Sequence, residues 1–79
     1  MANYRYAEEV TPTDTANIDT PPAKALYIGG SGDIALTLSG MEETESVVFS
    51  GLNAGEILEV RAKKVWSTDT TATDIVALY

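Results

Sequence analysis

Four groups of residues in this chain are of types that do chemistry. The carboxylates Asp33, Glu42, Glu43 and Glu45 are close enough in sequence to hold a hard cation such as calcium through oxygen. They lack the alternating Asp/Asn ligands and central glycine of an EF-hand loop, so a solvated acidic loop is the simpler reading. Gly29-Gly30-Ser31-Gly32 invites a phosphate-loop reading, but no Gly-Lys-Ser/Thr follows and no helix is at hand to hold an anion; a flexible hairpin turn explains it. Arg61, Lys63 and Lys64 are three of the five positive charges. They make a basic stripe that serves either as a docking face or as a guard on a strand edge. Trp66 and Tyr79 are large amphipathic groups that suit an interface and a core equally.

The chain has no histidine and no cysteine. That removes imidazole bases and ligands, thiolate nucleophiles, disulfides and thiolate metal sites together. Catalysis would rest on carboxylates, lysines, tyrosines or hydroxyls, and the carboxylates fall in turns or on solvated strand faces. The residues therefore point away from an enzyme, and no metal or cofactor is expected. The formal charge of −7 repels a phosphate backbone, which argues against nucleic acid as a partner. Hydrophobic residues make up 44% of the chain, a globular composition. No apolar run approaches the roughly 20 residues of a membrane helix, so a soluble protein with no membrane partner is expected. The first residues carry no signal-peptide pattern, which makes the cytoplasm the expected place of synthesis.

The elements that must position these groups read as all-β. Residues 1–24 mix Thr, Pro, Asp and Asn without periodicity, and form an extended N-terminal arm. Its apolar points, Tyr4, Tyr6, Val10 and Ile18, are too far apart to build a core; the segment is either a free tail or an arm docked on another surface. Residues 25–79 form a small β domain with short apolar runs between turn residues. Five strands can be drawn, giving a small antiparallel sandwich or barrel. Ala25 to Ile28 and Asp33 to Leu38 form a hairpin, with Ile34, Leu36 and Leu38 on one face. Glu45 to Ser50 follows, with Val47 and Phe49 inward. Ile57 to Trp66 is the longest strand, with Leu58, Val60 and Ala62 toward the core. Its alternation breaks near Lys63-Lys64, where one extra residue, a β-bulge, would flip every later side chain.

The last strand, Asp74 to Tyr79, is apolar on both faces, as central or interface-covered strands are. A chain of 79 residues buries only about 60–65% of the surface it exposes unfolded, so the stability margin is thin. With no disulfide or metal to staple it, oligomerisation is the remaining route. The candidate interface residues are accordingly Tyr4, Tyr6, Arg61, Lys63, Lys64, Trp66, Ile75, Val76, Leu78 and Tyr79.

Three stretches carry a family resemblance: Pro22 to Gly29 (Pro-Ala-Lys-Ala-Leu-Tyr-Ile-Gly), Gly32 to Leu38 (Gly-Asp-Ile-Ala-Leu-Thr-Leu), and Val65 to Tyr79, which contains Thr-Thr-Ala-Thr-Asp-Ile-Val-Ala-Leu before a terminal aromatic. With Phe49-Ser50-Gly51-Leu52-Asn53-Ala54-Gly55, they resemble the head spike base proteins of the gene transfer agents of alphaproteobacteria and of related tailed phages. The resemblance runs from about Asp14 to Tyr79. Leu52-Asn53-Ala54-Gly55 stands where Val-Pro-Ala-Gly is expected, Glu59 where proline is common, and Met41 to Glu45 has no counterpart. The resemblance implies a small β-rich virion protein on the capsid exterior at fivefold vertices. Its implied partners are the major capsid protein and a head fibre protein, and its implied assembly is a homo-oligomer, with a pentamer favoured. Two rivals share its physics or its surface: a capsid cement or decoration protein bridging capsomers, and a host-surface adhesive module.

Overall fold

The computed structural model describes residues 4–15 and 23–79 and is all-β. Its strands are β1 (Ala7–Glu9), β2 (Ala25–Gly30), β3 (Gly32–Leu38), β4 (Val47–Leu52), β5 (Glu56–Leu58), β6 (Ala62–Val65) and β7 (Thr73–Leu78). They form a four-stranded sheet in the order β1-β7-β2-β5 and a three-stranded sheet in the order β4-β3-β6, rather than a closed barrel. Every pairing is antiparallel. Leu26, Ile28, Ile34, Leu36, Val65 and Ile75 form the centre of the core, all fully or almost fully buried.

Seven strands rather than five follow from two local events, and a third sets how they divide between the sheets. First, residues 4–15 are bound to the protein's own fold. Ala7–Glu9 pairs with β7, and beyond it the Val10 N–H donates to the Ile75 carbonyl and the Thr13 N–H to the Val65 carbonyl, both at 2.9 Å. The segment thus straps one sheet to the other. Ile18, expected as an anchor point of the arm, lies outside the described residues, as do the rest of 16–22 and 1–3.

Second, the run from Ile57 to Trp66 is two strands in different sheets. The Val60 N–H turns back to the Leu58 carbonyl at 3.0 Å, a tight three-residue turn that carries the chain from one layer to the other. The bulge lies where the alternation breaks: Ala62 faces Leu38 and Lys64 faces Thr37, so Lys63 is the extra residue. That is how Ala62, Lys64 and Val65 all become buried.

Third, β2 and β3 do not form a hairpin. They are neighbours in sequence but belong to different sheets, and Ser31 marks the crossing. The glycines around it are required by crowding rather than by flexibility. A Cβ on Gly29 would lie 2.6 Å from both the Cβ and the carbonyl oxygen of Asp74, and one on Gly30 would lie 1.9 Å from Thr73 Oγ1. The start of β7 can approach β2 only because those side chains are missing.

β7 sits between β1 and β2, with Ile75 and Ala77 in the core. Both of its edges are paired, so its backbone is satisfied within the sheet, while Val76 and Leu78 alternate outward, half-buried.

Candidate functional site

The acidic residues near β3 and β4 do not converge. Asp33 Oδ1 accepts the Gly51 N–H at 3.0 Å and so shapes the end of β4. Glu45 Oε1 accepts the Glu42 N–H at 3.0 Å, which orders the turn ahead of β4 with its carboxylates exposed. Among the described residues, no group of three or more acidic side chains is arranged to hold a metal ion. Among the described residues, no helix is long and apolar enough to cross a membrane.

Lys64 and Trp66 meet on the outer face of the three-stranded sheet. Thr37 is opposite Lys64 across the β3–β6 ladder and is fully buried. The Trp66 Nε1–H donates to Thr37 Oγ1 at 2.8 Å, and that hydroxyl donates onward to the Glu45 carbonyl. Lys64 Nζ lies 3.9 Å from the centroid of the Trp66 ring. A cation held over an indole face gains about 0.5–2 kcal/mol, and the Lys64 stem covers the sheet on its way there. The basic stripe therefore divides: Lys64 is 7% exposed and committed to the fold, while Arg61 is exposed and Lys63, at the bulge, is half-buried.

The polar connection from Ser67 to Ala72 has a structural task that its composition did not disclose. Thr70 Oγ1 accepts the Ala35 N–H at 3.0 Å and Thr71 Oγ1 accepts the Asp33 N–H at 2.9 Å. Where β6 ends, threonine hydroxyls take its place along β3. The same connection anchors the N-terminal segment. Asp14 Oδ1 accepts the N–H groups of Ser67 and Thr68, each at 3.0 Å, and Oδ2 accepts the Thr68 hydroxyl at 2.5 Å. The Thr68 bonds first, then those from Ser67, hold the Asp14 carboxyl down to about 2.

The remaining candidates gather around β7. The Tyr6 and Tyr79 rings are tilted against each other, with centroids 5.3 Å apart. Tyr4 donates its hydroxyl to Glu59 Oε2 at 3.1 Å; desolvation and then that carboxylate raise the phenol above its usual range. Ile75 points into the core, so its side chain is not on the surface. Val76 and Leu78 alternate with it and point outward, half-buried. Two residues that sequence reasoning missed complete this face. Tyr27 is opposite Val76 on one side and Ile57 on the other, so Val76, Tyr27 and Ile57 form one row across three strands. Tyr27 and Ile57 are 38% and 48% exposed. The signal was the parity of Tyr27 between inward Leu26 and Ile28.

No protein-family model matches the chain, and neither does any curated protein. Its fold is similar to that of a chain in a solved structure, the capsid of a native GTA (gene transfer agent) particle computed with C5 symmetry. The TM-score is 0.82 and the sequence identity 29%, and the match covers 99% of this chain and 86% of that one.

Proposed function

We propose that this chain is a non-enzymatic structural protein of a phage-like particle, the base of a head spike that docks on the capsid exterior at a vertex and anchors a fibre. The observation that carries this reading is the likeness of nearly the whole chain, 99% of it, to a chain in a GTA capsid. The resemblance of Asp14 to Tyr79 to head spike base proteins supports the narrower role. The side chains fit it: the four-stranded sheet turns an apolar row of Val76, Tyr27 and Ile57 outward.

In this role the chain is made in the host cytoplasm and joins the virion. It forms a ring, a pentamer at a fivefold vertex, with the major capsid protein below it and a head fibre protein above. Copies meet through the outward row and the Tyr6, Leu78 and Tyr79 end of the sheet. The Trp66 surface and the exposed cation Arg61, with Lys63 beside it, face a different protein. A standard interface buries about 800 Å² per partner, a large share of so small a molecule.

Electron microscopy of purified particles, with copy number measured by quantitative mass spectrometry, tests the assignment. The expected result is density for this chain at vertices and a vertex-limited copy number. Hundreds of copies spread over capsomers would make it a cement protein instead. Absence from particles would remove the virion role altogether.

A further inference from the structure

The two sheets offer four edge strands, and they are not equivalent. β1 is three residues long and carries Glu8 and Glu9; β5 is three residues long and carries Glu56. Short, charged edges resist pairing with other chains. β6 has its outer carbonyls in use, with Val65 accepting from the Thr13 N–H and Ala62 from the Ala23 N–H. β4 differs from all three. It is six residues long, Val-Val-Phe-Ser-Gly-Leu, with no charge and no proline, and Val47 and Val48 are 46% and 44% exposed.

The register shows which backbone groups of β4 are open. The Trp66 N–H donates to the Ala35 carbonyl, so Ala35 directs its backbone groups toward β6 and its neighbours Ile34 and Leu36 direct theirs toward β4. Phe49 and Val47, opposite Ile34 and Leu36, answer them. Val48 lies between, and its N–H and C=O point away from β3. At the far end the ladder slips by one residue at Ser50-Gly51, where Gly51 adopts φ +73°, and this bulge ends the regular edge. The near end begins at the ordered turn carrying exposed Glu42, Glu43 and Glu45.

We propose that β4 is an acceptor edge that takes one added strand from an extended, cationic segment of another protein, pairing with Ser46 to Ser50. This deepens the assembly reading above and rests on it for the existence of a partner. Strand addition draws affinity from main-chain hydrogen bonds and specificity from the side chains beside them. Here the side chains are valines flanked by carboxylates on a chain of net charge −7, which a second copy of the same chain would not neutralise. In the antiparallel sense, the C-terminal end of the incoming strand lies beside the acidic turn. The partner segment is therefore apolar and β-branched, ending in Lys or Arg.

The experiment uses the isotope-labelled full chain and a synthetic peptide of alternating threonine and valine ending in two lysines, with a matched peptide ending in two glutamates. The expected result is amide shift changes centred on Ser46 to Ser50, with the lysine peptide binding at least about tenfold tighter than the glutamate one. Val48→Pro removes an outward N–H at an edge position where proline is tolerated. It is expected to leave the rest of the spectrum in place, abolish peptide binding, and lower the copy number of the chain on particles by about tenfold relative to wild type. Equal binding of the two peptides, or shifts centred on another strand, overturns the proposal. So does concentration-dependent pairing of β4 with itself, or a Val48→Pro chain at wild-type occupancy on particles. If the wild-type chain is missing from particles, it is the virion reading that fails, and the peptide titration still decides the role of β4.

Discussion

Asp14 is the residue on which the N-terminal segment hangs. Its carboxylate receives three hydrogen bonds from Ser67 and Thr68, and its pKa falls from 3.8 to about 2. A depressed carboxyl pKa adds stability that is fully present above the unfolded value and is lost as pH falls through the folded one. Asp14→Asn keeps the shape and loses the charge. The expected outcome is that wild type melts higher than Asp14→Asn from about pH 5 upward, that the difference shrinks below about pH 4, and that it vanishes only below about pH 2. Thermal melts across that range check it, and a difference that does not change with pH would refute it. Nothing in the sequence marked Asp14, because its partners lie more than fifty positions away and two of the three are backbone groups. The outward N–H of Val48 escaped notice for a related reason, since the direction of an N–H leaves no trace in residue type, although the side chain was read as facing away from Val47 and Phe49. Trp66 was legible as a large amphipathic group, but its fixing by Thr37 was not.

At the scale of the element, β7 has the most consequence. Lying between β1 and β2, it is a structural centre before it is an interface. Ile75→Ala, at 1% exposure, is expected to cost about 2–5 kcal/mol in urea unfolding. Removing Val76 to Tyr79 is expected to abolish the β-sheet circular dichroism signal, so loss of assembly in that variant would report on folding. A truncated chain that keeps its sheet spectrum would show that β7 is dispensable. Sequence placed this strand inside a sheet, where it is paired on both edges, although the fold covers only the face of Ile75 and Ala77. It read β3 well through alternation, and the bulge at Lys63 through the break in that alternation. It missed the separation of β2 from β3, since a glycine-rich turn looks the same whether the chain folds back beside itself or crosses to the opposite layer. It missed β1 because Ala-Glu-Glu has no strand character; that strand exists through its main-chain bonds to β7.

For the whole molecule, small size is the governing fact. Two thin sheets with extents of 30 × 25 × 18 Å leave little interior, and a large part of the apolar surface remains in water. Binding to a partner stabilises the folded state by mass action, by about 2.7 kcal/mol when the partner is present at one hundred times its dissociation constant. The chain is therefore expected to melt at a higher temperature in its assembly than when purified alone, as measured by differential scanning calorimetry on both preparations. Equal melting temperatures would mean that no surface of this protein gains cover on assembly. All-β class and acidic character were legible from composition and alternation. The architecture was less so, because sheet order is set by contacts between residues far apart in sequence.

The position of β7 also bears on how the protein is made. The strand between β1 and β2 is translated after both of them, so neither of its ladders can close until residues 73–78 have cleared the ribosome exit tunnel. Until then Ala7–Glu9 has no mate and Leu26 and Ile28 have no cover on that side. Such a nascent chain spends its synthesis as a ribosome-tethered, aggregation-prone intermediate. Its folding is timed by the emergence of residues 73–78 from the tunnel rather than by growth of the first strands.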